Sequence, residues 1–347
     1  MIGAMTYNTT PTEILAAAPD AVAIAAGASL ERPHPLAQTL TLAQIATVCA
    51  VQAAPRRAIE TDQSVVARGM GTGDFARVLA QGVAALAVQT YDGQAEHAAF
   101  AVPVEVKNFH PVTVAAVEAQ GIELELLGQN AEISRSGAFL AAAGTAPVQL
   151  TTFAKIIGIS RQAVVNDDLG AFATAVAGLG GSAARLEAQL IAAALEANPL
   201  LDDGSPVFDA SHGNVVAAAL DGPALGGAMA LLRNQRTAAG QLAGLRARHI
   251  VVAPDNEFVA RVLVKDSGLD SAVTVSVLPN LPAGSWYLLA DPKTSPVIGL
   301  LRLAGQKKPV RVEQKKRGNL SDSTFVAVVC DTGAAILRRT GIVRGGA

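Results

Sequence analysis

The chain has 347 residues, 50% of them hydrophobic and only 4% aromatic, with a formal net charge of -2 at pH 7. These figures exclude a disordered chain and a uniformly basic nucleic-acid binder, and they allow a buried core divided into two or three lobes. Because Ala, Val and Leu carry most of the hydrophobic fraction, packing must come from many small close contacts. The two cysteines, Cys49 and Cys330, have no metal-like spacing, so neither a disulfide framework nor a zinc site is expected. No apolar run reaches the roughly 18 residues of a membrane helix. Met1 to Thr12 lacks the pattern of a secretory signal, which points to a cytosolic, reducing setting.

Residues 13 to 54 are Ala-rich, with Ile14, Leu15, Val22, Ile24 and then Leu40, Leu42, Ile45 and Val48 on either side of Glu31-Arg32-Pro33-His34-Pro35. Short helical pieces joined by breakers fit this pattern. Residues 1–69 are expected to form a loosely attached helical extension of scaffold or linker type. Thr72 or Asp74 then caps a helix whose stripe runs through Phe75, Val78, Leu79, Val83 and Leu86. This opens a segment, 70–121, that leads into the body of the protein.

From Ala98 the period changes to two. Ala101–Val106, Ile122–Leu127 and Gln149–Ile159 alternate as half-buried strands do. The polar stretch between the last two predicts a long antiparallel hairpin over 122–158 that lies on another surface, since an isolated hairpin is marginal in water.

Asn166, Asp167 and Asp168 offer N-cap carboxylates and amides at the positive end of a helix dipole. Beyond them Leu169, Phe172, Val176, Leu179, Ala183, Leu186, Leu190 and Ala194 recur in steps of three and four until Asn198-Pro199. The spacing predicts one helix of about 30 residues, and Gly178, Gly180 and Gly181 within it invite close approach of another backbone. It forms the spine of a segment 159–198.

Beyond Pro199 the pattern is mixed: helices over Pro223–Thr237 and Asp255–Lys265, and strands over His249–Ala253, Val273–Leu278 and Trp286–Ala290. The segment 199–300 is therefore α+β, and 301–347 returns to strands over Val297–Leu303, Pro309–Val312, Phe325–Cys330 and Ala334–Val343. From Arg302 onward ten Lys and Arg face three carboxylates, an excess of +7. Lys307, Lys308, Lys315, Lys316 and Arg317 in this tail are the candidates for sequence-independent contact with phosphate, against the alternatives of an acidic neighbouring subunit and a solvated strand edge.

No constellation in the sequence carries chemistry convincingly. The run Gly178-Leu179-Gly180-Gly181-Ser182 lacks the lysine of a phosphate loop and lies inside a helical stripe. Asp209, Ser211 and His212 fall within four residues, whereas hydrolytic triads are assembled from distant positions, so a tight turn is expected there. No catalytic residue, cofactor or metal is therefore assigned, and the chain reads as a building block.

Three blocks carry a resemblance: Ile159–Phe172, Ala183–Ala188 and Pro206–Asn214. In this order they are similar to phage major capsid proteins of the Hong Kong 97-type fold, in the group linked to a prohead protease, over about residues 70 to 347. The resemblance implies an α+β subunit with a peripheral domain (spine helix plus antiparallel sheet), an axial domain over 199–300 and a projecting hairpin, with strands 301–347 returning to the peripheral domain. It implies a non-enzymatic subunit that assembles with itself, as pentamers and hexamers, into an icosahedral shell around double-stranded DNA. Portal and prohead protease or scaffold would be further partners, with no membrane, and assembly would occur in the bacterial cytoplasm. Arg135 and Phe139 in the hairpin, and Arg246, Arg248, Asp266 and Asp270 in the axial segment, are the expected subunit contacts. No Lys lies between Gly128 and Pro147, so the shell is expected to be non-covalent. The alternatives are an encapsulin-like compartment of the same fold and a hydrolase using Ser211 and His212.

Overall fold

In the computed structural model the described residues are 10–55, 60–114, 147–201, 203–237, 240–315 and 323–346. In chain order they form α1 (Pro11–Ala25), α2 (Leu42–Ala53), α3 (Asp62–Met70), α4 (Gly73–Gln94), β1 (Ala101–Val106), β2 (Thr151–Ser160), α5 (Arg161–Val165) and α6 (Gly170–Ala197). There follow β3 (Val215–Val216), α7 (Gly222–Asn234), β4 (Ala247–Val252), α8 (Glu257–Asp266), β5 (Thr274–Val277) and β6 (Trp286–Ala290). The last strands are β7 (Ile298–Leu303), β8 (Val310–Lys315), β9 (Ser323–Thr332), β10 (Ala334–Ile336) and β11 (Ile342–Gly345). The chain is α+β, as expected. None of the described helices is long and apolar enough to cross a membrane.

One compact unit draws on Met1–Ala95, Thr152–Arg185 and Lys307–Asp331. Its first four helices each start on a threonine whose side chain accepts a backbone N–H: Thr10 from Glu13, Thr41 from Gln44, Thr61 from Ser64 and Thr72 from Phe75. Glu13 and Gln44 return the bond to the cap backbone, closing two capping boxes. Ile14, Val22, Ile45, Cys49, Val65, Phe75, Leu79 and Val83 are buried among these helices. A methyl group at Gly69 would collide with the Ala46 carbonyl, and one at Gly82 with Val22. The described residues before Gly69 are thus tightly packed within this unit, contrary to the loose attachment expected. Small residues at the helix crossings allow this, and breakers such as Pro33 and Pro35 only turn the chain between helices.

The same unit contains the start of α6. Asp168 Oδ1 accepts from Gly170 N at 2.9 Å, and Asp167 Oδ1 from Leu42 N at 2.8 Å, so the two carboxylates begin different helices. At Gly180 an added methyl would strike the Ala87 carbonyl of α4, which is the close approach the glycines predict. A three-stranded sheet of order β2-β9-β8 completes the unit, with β8 antiparallel to β9 from Val310 opposite Cys330 to Lys315 opposite Phe325.

The second unit draws on Glu96–Thr151, Leu186–Gln306 and Thr332–Ala347. Its larger sheet has the order β3-β11-β6-β4-β5, in which β6 is antiparallel to both neighbours and β4 is parallel to β5. The apolar runs of β4 and β6 are continuous because both faces are covered. Val251, Tyr287 and Leu289 point into a core with Phe100, Ile191 and Leu195; Ile250, Val252, Trp286 and Leu288 point into another with Leu225 and Leu232 of α7. Trp286 and Tyr287 are fully buried, as expected of core residues. A smaller sheet sets β7 parallel to β1 and antiparallel to β10.

The run Ala334–Val343, expected as one strand, is two. It breaks over Leu337–Gly341, where Gly341 adopts φ +106, so that β10 pairs with β7 while β11 pairs with β6. The return strands do not stay together: β8 and β9 lie beside β2, and β10 and β11 serve the second unit. Of the hairpin expected over 122–158, residues 122–146 lie outside the described residues; the rest includes most of β2, which lies beside β9, and Val148 forms an antiparallel bridge with Val112.

Candidate functional site

The second unit buries a polar cluster around Glu187 of α6, whose side chain is fully inaccessible. Arg302 of β7 reaches its two oxygens at 2.6 and 3.1 Å, Thr332 Oγ1 donates to it at 2.6 Å, and His97 Nε2 lies 2.9 Å away. Arg302 also donates to Thr332 Oγ1 at 3.1 Å and to the Leu301 carbonyl at 3.0 Å. A bidentate guanidinium matched to a carboxylate and satisfied on its other donors ties the α6 spine to the smaller sheet. The apolar spacing of the helix does not single out Glu187. The signal is a carboxylate on the buried face made by Ala184, Ala188 and Ile191.

The block Pro206–Asn214 is a clamped turn. Asn198 accepts from Phe208 N at 2.8 Å and donates to Phe208 O at 3.0 Å, while Asn214 bonds Asp209 N and Val207 O. Asp209 accepts from both the backbone N and the Oγ of Ser211. Those bonds hold its carboxyl below the usual carboxylate range. Ser211 therefore donates to Asp209 and not to His212, and Gly213 closes the turn at φ +61. The expected turn is what forms.

His212 instead meets Arg339, whose Nη1 lies 2.8 Å from Nε2, and Arg339 Nη2 donates to Asp203. Burial opposes ionisation of Asp203, but the Ser205 N–H and Arg339 outweigh it and keep the carboxyl below its ordinary value. Nearby, Tyr287 donates to Glu196 at 2.6 Å and Arg344 stands 3.6 Å from the same carboxylate, with its guanidinium 5.9 Å from the Phe208 ring centre. Burial and the Glu196 bond push the Tyr287 phenol well above its usual value.

Of the expected contact residues, Arg135 and Phe139 lie outside the described residues. Arg246, Asp266 and Asp270 are exposed. Arg248 is exposed as well, and its Nη1 donates to Ala272 O at 3.1 Å. The structure brings none of the four into a mutual ion pair. In the basic tail Lys316 and Arg317 also lie outside the described residues. Most of the other cations have carboxylates beside them: Lys308 meets Asp92 at 2.5 Å, Arg311 meets Asp331 and Glu313, and Lys315 meets Glu313 at 3.5 Å. Lys307 is exposed with no carboxylate partner among the described residues. Glu313 and Asp331 belong to the tail and are already counted in its +7, so among these pairs only Asp92 brings a carboxylate from elsewhere in the chain. Among the described residues no three His, Cys, Asp or Glu side chains are grouped to hold a metal.

The exposed apolar residues gather in part on α8, where Phe258 is 77% exposed and Val259 and Val262 are each 38% exposed. Spacing of three and four sets Phe258 and Val262 on one helix face, beside the Glu257–Arg261 ion pair at 2.8 Å.

The sequence matches the family described as phage capsid protein over residues 143–345, more than half of the chain and including α6, the clamped turn and every later strand. The chain belongs to the phage capsid protein family. This agrees with the resemblance carried by the three sequence blocks. The capsid protein is also similar to solved structures, all at low identity. One is a virus-like particle from Pyrococcus furiosus (12% identity, 76% of this chain and 96% of that one, TM-score 0.47). Another is the capsid of the cyanophage P-SCSP1u (12%, 71% and 86%, TM-score 0.45). A third is the holo-SrpI encapsulin complex from Synechococcus elongatus (11%, 72% and 85%, TM-score 0.45). No curated protein matches the sequence.

Proposed function

We propose that this capsid protein is the repeating, non-enzymatic subunit of an icosahedral shell of the Hong Kong 97 type, built from its own pentamers and hexamers around double-stranded DNA. The family match over 143–345 carries the reading. It is supported by two physical features: a rigid scaffold fixed by the Glu187 cluster, and an apolar α8 face that a monomer leaves in water. In this reading 1–69 is the N-terminal helical segment, 70–121 leads into the peripheral domain, 122–158 is the hairpin, 159–198 the spine, 199–300 the axial domain and 301–347 the closing strands. Arg135, Phe139, Arg246, Arg248, Asp266 and Asp270 serve subunit contacts, and many modest contacts multiply through closed symmetry. Genome contact is made by neutralising phosphate through Lys307, Lys308, Lys315, Lys316 and Arg317 and is salt-sensitive; of the described ones, Lys307 is exposed with no carboxylate partner. Assembly takes place in the bacterial cytoplasm with a portal and a prohead protease or scaffold.

Electron microscopy of the purified full chain tests the reading: closed isometric particles are expected, and only monomers or small rings under all assembly conditions would overturn it. Particles that copurify with an enzyme and exclude nucleic acid would instead indicate an encapsulin-like compartment. Denaturing electrophoresis of mature particles should give single subunits without covalent ladders.

A further inference from the structure

A cavity of about 490 Å³ in the second unit is lined by the end of α7, from Asn234 to Thr237, by the break between β10 and β11, from Arg338 to Thr340, and by His212. Arg236, Arg338 and Arg339 are among its lining residues, and Arg339 engages Asp203, a carboxylate in the same wall. Arg236 spends one of its five donors on the Gly240 carbonyl at 2.6 Å. Thr237 is 7% exposed, and its backbone N–H and C=O pair with Gln241 and Gly240, yet its hydroxyl is buried with no partner. His212 Nε2 must accept from Arg339, because a guanidinium only donates. The neutral ring then keeps its proton on Nδ1, which is buried and also unpartnered. Among the described lining residues the Thr237 hydroxyl and the His212 Nδ1–H thus stand without an acceptor, beside the cationic side chain of Arg236.

We propose that this cavity binds a small phosphate-bearing anion. A tetrahedral dianion supplies several acceptor oxygens at once and matches the planar fork of Arg236 and the hydroxyl of Thr237. The volume lies within the ordinary range for small-molecule sites, about 300–1,000 Å³, and so admits either free phosphate or the terminal phosphate of a nucleotide. The assignment does not depend on the shell reading.

Calorimetric titration of the unassembled full-length chain with inorganic phosphate and with AMP, at constant ionic strength in chloride, tests it. One saturable site per chain is expected. Arg236→Gln should weaken binding about tenfold, the loss of a charge-assisted hydrogen bond. Thr237→Val should also weaken it while leaving the free protein no less stable, which separates binding from folding. AMP binding more tightly than phosphate would identify a nucleotide as the source, and equal affinity would identify free phosphate. Heats no different from a chloride control, or both variants binding like the wild type, would overturn the proposal.

Discussion

Arg302 holds both oxygens of Glu187, at 2.6 and 3.1 Å, in a part of the second unit where the carboxylate is wholly shut off from water. Removing Glu187 therefore takes from the buried Arg302 guanidinium the carboxylate it holds with two bonds. Glu187→Ala is expected to cost about 3–5 kcal/mol, and the double change Glu187→Leu with Arg302→Met to recover much of it. Urea unfolding of the unassembled subunit measures both. Equal destabilisation by the single and double variants would refute a dominant role for the stranded charge.

Phe258 offers the opposite case, a large apolar side chain with little to hold it in the subunit. Phe258→Ser should change subunit stability by no more than about 0.5 kcal/mol. It should raise the protein concentration needed for particle formation about tenfold, as losing the burial of one large apolar side chain at a contact implies. Light scattering against concentration reads this, and an unchanged assembly threshold would remove α8 from the contact surface.

Cys49 of α2 is inaccessible, and burial, with Asp74 adding to it, raises its thiol to about 11. At pH 8 about one part in a thousand is thiolate, so the native protein should not be labelled there by a thiol reagent, and labelling should appear with unfolding. Mass spectrometry of the peptide carrying Cys49 decides the matter. Rapid modification of the folded chain would show that the helical bundle opens.

For Tyr287, burial and the bond to Glu196 favour the protonated phenol, so its folded value exceeds the ordinary tyrosine value of about 10. The stability this contributes is complete below pH about 10 and is lost as pH rises through the folded value. Of the three tyrosines, Tyr287 should ionise only together with unfolding when absorbance at 295 nm is followed. Tyr287→Phe should flatten the alkaline loss of stability, and an unaltered alkaline profile would contradict the assignment.

Much of the framework was legible because it is local. The acidic cap before α6, its stripe of small residues, the approach at Gly180 and the continuous apolar run Trp286–Ala290 all follow from short-range spacing. The turn at Asp209 was legible for the same reason. What escaped depends on partners far along the chain. Glu187 meets Arg302 and Thr332, and Lys308 meets Asp92, so a tail that looks unpaired in sequence finds its carboxylates only after folding. The break between β10 and β11 falls on Arg338-Arg339-Thr340-Gly341, where no apolar alternation runs, but the change of sheet depends on Gly341 and on which strands await on each side. The packing of α1 to α3 was missed because tight contact between Ala- and Gly-rich helices leaves no large side chains to mark it.

The position of β11 has a consequence for synthesis. This strand, Ile342–Gly345, lies between β3 and β6 in the five-stranded sheet, so the sheet stays split until the ribosome has delivered residues beyond 340. The nearer unit waits too, because β8 and β9 come from 307–331. Long-range pairings of this kind fold slowly and cannot be completed during translation of the first three hundred residues. A chain cut before Ile342 lacks the strand that joins β3 to β6.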